Sequence, residues 1–530
     1  MTILVILFTL YSKLSLIETQ GEVTAMLDHL LTVIREEHLA EQLYHSLVGL
    51  EIEEHRIDQH GRLSRRPHPR QLGSRTIHPY LQTDFTESQL EVITDPNPNI
   101  GGTLDQLDTL QTVAYRSLAG DDRIWPLSMP PKLDETDLQF IRNHFERPAI
   151  KPYREHLIHK YGLKHGCMTG VHVNYSLPDP VIHRLYSHYT QEFPTLVAFK
   201  NALYFRLAQN FVRYQWLLTY LFGASPIAEA GFFDPVPAEL QHPVRSIRNS
   251  RFGFVNLPKE QVGYESLSGH LAQLQAMIDA GTYFSAHEFY GPVRLKGQTS
   301  AQNFLTGGIR YLELRDFDNT PFTPNGVSRH ALYFLKFFMI YLLTQPLPEN
   351  IATALATARL KNQTVALEDP LQATQYQAEG EQIFAAMREM AKQLNAHTEQ
   401  WENIDDLEEV LMHPDLTPAA KLVAKMHEGS LMKFGQAVAR QWYHERISAP
   451  TLLPRLTQVT ATTQRFVMAA LQAGVRFYQV RDEDGADLLM FTFAGVTQVL
   501  QERDMQVGDP NQRLHELFPD LPSGDQGTIV

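Results

Sequence analysis

Cysteine is nearly absent from the 530 residues. Cys167 stands alone, which excludes an intrachain disulfide and fits a reducing compartment, so a cytoplasmic setting is expected. Positive charge is in deficit as well. Lys and Arg total 46 against 60 Asp and Glu, a formal net charge of -14. Such a chain lacks the basic face that general nucleic-acid binding requires. An anionic substrate would have to be drawn in by a local cluster of arginines, because the overall field repels it. Long apolar runs are also missing. Ile3 to Leu10 comes nearest, but it is too short to span a bilayer, has no basic segment before it and no small-residue cleavage site after it. No membrane association is expected. Residues 1–25 are expected to be an atypical N-terminal extension, with Met26 an alternative start and residues 26–530 the working domain.

Several chemical signatures are absent too. No paired cysteines or His-Glu-x-x-His suggest zinc. There is no Gly-x-x-x-x-Gly-Lys-Ser/Thr loop, and no Gly-x-Gly-x-x-Gly follows a strand. Gly307-Gly308 precedes a strand, not a helix, and reads as a tight turn. Cys167 lies close to His172, but nothing else supports a nucleophile and base pair, so a buried inert thiol is the better reading.

What is present is a recurring alternation. Gly49-Leu-Glu-Ile-Glu53, Val171-His-Val-Asn-Tyr-Ser176 and Tyr311-Leu-Glu-Leu-Arg315 each place apolar residues at every second position. That period marks a strand with one buried face, so Leu50, Ile52, Val171, Val173, Leu312 and Leu314 should point into a core. The opposite faces then carry Glu51 and Glu53, His172 and Asn174, Glu313 and Arg315. Taken singly, a glutamate pair is an ordinary wet face, His172 a structural histidine, and Arg315 half of a surface ion pair. Recurrence on three strands changes the balance, because concentrated carboxylates repel unless cations sit among them. With Asp84 and Glu91 in a fourth strand-like region (80–94), the set is oxygen-dominated and selects magnesium or manganese over zinc. If ATP is used, metals and arginines such as Arg294 must hold its phosphates.

Helical periodicity covers about 23–47, 104–118, 133–162, an aromatic-rich 180–222, and most of 326 to the 470s, closing on a strand at 474–480. A Pro/Gly region lies near 223–243. The acidic strands are far apart in sequence and must meet in one sheet with helices around it: one α+β catalytic unit without repeats or linkers.

Six ordered blocks carry a family likeness: Gly49-Leu-Glu-Ile-Glu-Glu-His-Arg-Ile57, Thr83-Asp-Phe-Thr-Glu-Ser-Gln-Leu-Glu-Val-Ile-Thr94, Arg123-Ile-Trp-Pro-Leu-Ser-Met-Pro130, Gly170-Val-His-Val-Asn-Tyr-Ser-Leu-Pro178, Tyr220-Leu-Phe-Gly-Ala-Ser-Pro226 and Gly307-Gly-Ile-Arg-Tyr-Leu-Glu-Leu-Arg315. Together they resemble bacterial glutamate–cysteine ligase (γ-glutamylcysteine synthetase), in its single-function form. The resemblance implies a curved antiparallel sheet, a funnel like that of glutamine synthetase, with ATP on one side and amino acids on the other. It implies magnesium (or manganese) ligands at Glu51, Glu53, Asp84, Glu91, His172 and Glu313, and catalytic roles for Arg315, Glu313 and Glu53. Arg315 and Asn174 would meet substrate, and Arg294 and Tyr290 the nucleotide. Arg248 falls where the family binds the cysteine carboxylate. Phe254 stands where some members have tyrosine, which implies weaker discrimination for cysteine. The expected partners are L-glutamate, L-cysteine and ATP, with the chain a monomer or weak oligomer. Two-domain relatives continue into an ATP-grasp module, and a chain ending at Val530 is expected to lack one and to make the dipeptide alone. The alternatives are a related ligase using another amine acceptor, or a non-catalytic binding or regulatory protein that keeps the fold.

Overall fold

Three of the alternating segments become neighbouring strands. The computed structural model describes residue 27 and residues 29–481, 487–505 and 508–522; the expected extension at residues 1–25 lies outside them. The main sheet is built from β1 (Leu47–Ile57), β2 (Leu81–Gln82), β3 (Gln89–Ile93), β4 (Arg123–Trp125), β5 (Val171–Ser176), β6 (Val293–Lys296) and β7 (Tyr311–Phe317). Its order is β2-β3-β1-β5-β7-β6, every pairing is antiparallel, and β4 pairs with the far end of β1 alongside β5. The sheet is therefore open, with β2 and β6 at its edges.

The six expected core residues (Leu50, Ile52, Val171, Val173, Leu312 and Leu314) are all fully buried on the back of this sheet. Burying a side chain of that size contributes about 1.5–3 kcal/mol. The helix Leu196–Phe222 supplies much of the opposing layer, with Phe222 meeting Phe317 of β7 at a ring separation of 5.6 Å. Thr195 caps that helix by accepting from the Ala198 amide. Helices Arg329–Thr344 and Ile351–Ala366 pack beside it, so the aromatic stretch of 186–216 is core packing.

Five expectations need correction. The region 80–94 is not one strand: β2 and β3 are separated by a loop, and Asp84 lies in it. The Thr86 amide donates to Gln89 Oε1 at 2.6 Å and Arg147 Nη1 to the Thr83 carbonyl at 2.5 Å, contacts that hold the chain out of the ladder. The expected helix of 23–47 appears, over its described part, as Leu30–Glu36 and Ala40–Tyr44, split where His38 takes a left-handed φ of 53°. The terminal strand is the first of a separate antiparallel sheet, β8 (Arg476–Arg481), β9 (Asp487–Phe493) and β10 (Val496–Leu500). Likewise 133–162 and 180–222 are each two helices, interrupted near Pro148 and Pro194.

Candidate active site

Cross-strand register decides which side chains share a face. Glu51 lies opposite His172, Glu53 opposite Glu91, and Glu313 opposite both Asn174 on β5 and Arg294 on β6. Because direct partners point the same way, eight of the expected site residues share one side: Glu51, Glu53, Glu91, His172, Asn174, Arg294, Glu313 and Arg315. Lys296, two residues beyond Arg294, joins them. It went unnoticed in the sequence, although Val293-Arg-Leu-Lys296 has the same period of two.

The face has an acidic half and a basic half. On the acidic side Asn174 Nδ2 donates to Glu51 Oε1 at 2.8 Å, and the Gly170 amide donates to Glu53 Oε2 at 3.1 Å. His172 sits between the two glutamates, with Nδ1 3.3 Å from Glu51 Oε2 and Nε2 3.7 Å from Glu53 Oε1. Arg248 Nη2 approaches the same Nε2 at 3.4 Å. A guanidinium can only donate, so Nε2 accepts and Nδ1 carries the proton toward Glu51. Burial, reinforced by the Arg315 charge, keeps this imidazole neutral, with its pKa lowered to about 4.

Burial and then the charge of Asp84 push the Glu53 carboxyl up to about 8, against Arg248 and Arg315. Burial, followed by Glu51, Asp84 and Glu53, holds Glu91 well above the carboxylate range. Burial raises Asp84 as well. So Asp84, though it left the strand, still points its field at Glu53 and Glu91. Arg147 is the cation that acts on Glu91, and it acts on Asp84 after Arg315; nothing in the sequence marked it. These acids cannot all ionise together without added positive charge. A hard divalent ion would supply it, and the oxygen-dominated donor set fits magnesium or manganese. Among the described residues, however, no three His, Cys, Asp or Glu side chains close on one point as a preformed shell.

On the basic side Glu313 is already neutralised. Arg315 Nη1 reaches its Oε1 at 2.6 Å, Arg294 Nη1 reaches the same oxygen at 3.2 Å, and Lys296 pairs with Oε2. Burial opposes its ionisation, yet Arg294, Arg315 and Lys296 together carry it well below the usual range. Arg294 is fixed by donating to the carbonyls of Phe289 (2.7 Å) and His287 (2.5 Å).

Arg248 comes from a loop. Asp318 Oδ2 accepts from the Ala224 amide and from the hydroxyls of Ser225 and Ser246, which pins segment 224–249 against the end of β7. Arg248 then donates Nη1 to the carbonyls of Arg315 at 2.8 Å and Phe317 at 3.2 Å. Gly170 gives it room: a Cβ there would stand 2.2 Å from the Arg248 Cζ. A cavity of about 620 Å³ reaches the face through Arg248 and Arg315, lined further by Phe254, Tyr290, Asp316 and Arg359. Phe254 stacks on His165 at 5.1 Å and meets Tyr290 edge-on at 4.5 Å. Cys167 is buried, and burial pushes its thiol up to about 12, so it takes no part as a nucleophile.

Fold and site define an α+β enzyme whose open antiparallel sheet gathers its acids and arginines on one face. The model of the family described as glutamate-cysteine ligase matches residues 31–365, and the chain belongs to that family. Among curated proteins, the glutathione biosynthesis bifunctional protein GshAB of Streptococcus thermophilus is 36% identical over 438 residues, 82% of this chain and 57% of that protein. A crystal structure of a bifunctional glutathione synthetase from Pasteurella multocida superposes with a TM-score of 0.82 at 31% identity, over 90% of this chain and 62% of that one. A glutamate–cysteine ligase from Francisella tularensis in complex with AMP shares the fold, with a TM-score of 0.71 at 21% identity over 81% and 92% of the two chains. The chain spans little more than half the length of the bifunctional relatives it matches. No helix among the described residues is long and apolar enough to cross a membrane.

Proposed function

We propose that this chain joins the γ-carboxylate of L-glutamate to the amine of L-cysteine at the expense of ATP, through γ-glutamyl phosphate, the first step of glutathione biosynthesis. What carries the reading is one sheet face on which Glu53 and Glu91, with Asp84 from the adjoining loop, resist ionisation in one another's field beside a cluster of Arg294, Lys296 and Arg315. Two anions, a carboxylate and a triphosphate, must meet for this reaction, and the site is laid out to neutralise both.

Glu51, Glu53, Asp84, Glu91, His172 and Glu313 would hold magnesium, with manganese the alternative. Such ions screen the triphosphate and the developing charge on the transferred phosphoryl group. Arg294 and Tyr290 would hold the nucleotide. Arg315 and Asn174 would orient glutamate, whose γ-carboxylate oxygen attacks the γ-phosphorus as ADP leaves. Arg315 and Lys296 then turn from Glu313 toward the acyl phosphate. Arg248 would take the cysteine carboxylate, with Phe254 walling that side. The cysteine nitrogen attacks the acyl carbon, phosphate departs with the bonding pair, and the amide forms.

The test is a coupled ADP assay with glutamate, ATP and magnesium, run with and without cysteine, with the product mass measured. Cysteine-dependent ADP release with γ-glutamylcysteine as product is expected. Release independent of any amine, or no release with glutamate and a panel of amines, sinks the proposal. A panel member preferred over cysteine would transfer it to the related-ligase alternative.

A further inference from the structure

The 620 Å³ cavity is lined in part by polar groups that the reaction above does not use. Asp316 follows Arg315 on β7 where the β5–β7 register shifts between Leu314 (opposite Val173) and Phe317 (opposite Val171), so strict alternation breaks there and Asp316 lines the cavity together with Arg315. Its carboxylate is 6% exposed and within the field of Arg248, Arg315 and Asp318, and its Oδ2 accepts no hydrogen bond from any described residue. Gln215, from the long helix Leu196–Phe222, is 4% exposed and lines the same cavity, as does Gln363 from Ile351–Ala366. Oε1 of Gln215 and Oε1 of Gln363 are likewise without a donor among the described residues. The surroundings hold Asp316 firmly: Asn249 Nδ2 donates to its backbone carbonyl at 2.6 Å, and Asn362 Nδ2 to the Asn249 carbonyl at 3.3 Å.

Buried acceptors left without donors are costly, and a buried carboxylate without a partner is the costliest of them. Burial pushes the Asp316 carboxyl up to about 8 even against the pull of Arg248 and Arg315. A ligand that relieves this must bring several donors and positive charge. A divalent metal would want six or more oxygens with several carboxylates, and the recess offers one. A protonated primary amine brings three N–H donors and one charge. The buried Arg248 lines the same cavity. A cation and an anion lining one enclosure are complementary to a zwitterion.

We propose that this recess binds the α-ammonium group of the acceptor amino acid, with Asp316 as its counter-charge and Gln215 and Gln363 as further acceptors. This rests on the function proposed above and adds to it the group that selects an amino acid over an acid of the same shape. Arg248 and Asp316 then hold the α-carboxylate and the α-ammonium of the acceptor, and the ammonium passes one proton to the Asp316 carboxylate before its nitrogen attacks the acyl carbon and phosphate leaves with the bonding pair.

The experiment uses the full chain with magnesium, saturating ATP and glutamate, and varied cysteine. It is repeated with 3-mercaptopropionate, which keeps the carboxylate and thiol but has no nitrogen, as a competitive inhibitor. In Asp316→Asn the KM for cysteine should rise roughly tenfold to a hundredfold, as loss of a charge-assisted hydrogen bond requires. The inhibition constant of 3-mercaptopropionate should stay the same. An unchanged KM overturns the proposal, and so does an equal rise in both constants, which would mark a merely structural role. Gln363→Leu, at a half-buried position, is the second variant. It should raise the KM for cysteine about threefold with the inhibitor constant fixed, and no rise counts against the recess. Calorimetric titration of the wild type and Asp316→Asn with cysteine, then with 3-mercaptopropionate, separates the two levels of the argument. If the wild type releases no cysteine-dependent ADP yet binds cysteine through Asp316, the proposed reaction fails and the pocket stands. If the wild type turns over but Asp316→Asn binds cysteine as tightly, the pocket fails and the reaction stands.

Discussion

Gly170→Ala is the smallest change that tests how Arg248 is held. A Cβ at this position would lie 2.2 Å from the Arg248 Cζ and 2.3 Å from its Nε and Nη2. Carbon atoms rest about 3.5–4.0 Å apart, so the guanidinium must retreat by on the order of 1.5 Å. That shift takes Nη1 away from the carbonyls of Arg315 and Phe317, now 2.8 Å and 3.2 Å distant. Gly170 does not occupy the left-handed region, so alanine brings no backbone strain, and its amide can still donate to Glu53 Oε2. The effect should therefore be confined to Arg248. Each charge-assisted hydrogen bond lost is worth about 1.5–3 kcal/mol, which corresponds to roughly tenfold or more in kcat/KM for the acceptor. Two buried carbonyls left without donors should also lower the melting temperature by a few degrees. The assay is ADP release with cysteine, glutamate and ATP varied in turn, on Gly170→Ala, Arg248→Ala and the double variant. The KM for cysteine should rise in both single variants far more than that for ATP. Once the guanidinium is gone the alanine has nothing to displace, so the double variant should be no worse than Arg248→Ala. Additive losses, or equal effects on cysteine and ATP, would refute the role given to Arg248.

Other perturbations have equally definite outcomes. Glu91→Gln and Glu53→Gln each remove one member of a repelling group. Either should raise the melting temperature of the magnesium-free protein, lose most turnover at saturating magnesium, and abolish the stabilisation that magnesium gives the wild type; near wild-type turnover would defeat the metal assignment. Phe254→Tyr returns a hydroxyl to the cavity wall and should lower the KM for cysteine by about twofold to tenfold relative to other amines; an unchanged acceptor profile would show that the ring does not face the acceptor. His78 accepts the Tyr80 and Leu81 amides at Nδ1 and bonds the Leu471 carbonyl through Nε2; burial lowers its pKa from 6.5 to about 4. The folded state therefore binds fewer protons than the unfolded one, and stability is lost as pH falls from 6.5 toward 4. Against His78→Gln in chelator, wild-type stability should fall by about 2 kcal/mol between pH 6.5 and 5 in urea titrations, and parallel curves would refute this.

Which side of a strand a residue occupies can be read from its neighbours two positions away, so the sequence revealed Glu51, Glu53, His172, Asn174, Glu313 and Arg315 together. Which cation each acid meets cannot be read that way. Glu313 has the same local pattern as Glu53, yet it is held by Arg294, Lys296 and Arg315 while Glu53 faces Asp84. That difference depends on β6 pairing with β7, a register set by residues 293–296 and 311–314 rather than by either segment alone. Asp84 and Arg147 come from irregular backbone whose path is fixed by hydrogen bonds such as Arg147 to the Thr83 carbonyl, and periodicity carries no information about such loops. Asp316 eluded notice because the β5–β7 register shifts between Leu314 and Phe317, and the alternation that reads 311–315 does not carry across that irregularity.

The unequal treatment of the two kinds of acid follows from what each must do. The chain as a whole repels anions, with a formal charge of -14. A triphosphate can enter only where positive charge is concentrated and not fully spent. At Glu313 three cations surround one carboxylate, so the local sum stays positive, and a phosphoryl group can displace that carboxylate as their partner. At Glu53 and Glu91 burial and neighbouring acids oppose ionisation, and a divalent ion would supply the charge that favours it. Magnesium in the acidic half would add positive charge to this face, and that is the state in which it would accept ATP. The order of events is therefore testable: in rapid mixing, magnesium in excess over nucleotide should accelerate ATP binding to the wild type, and should not accelerate it in Glu53→Gln. Equal acceleration in both would place the metal that matters on the nucleotide alone, and the carboxylate face would lose the part assigned to it.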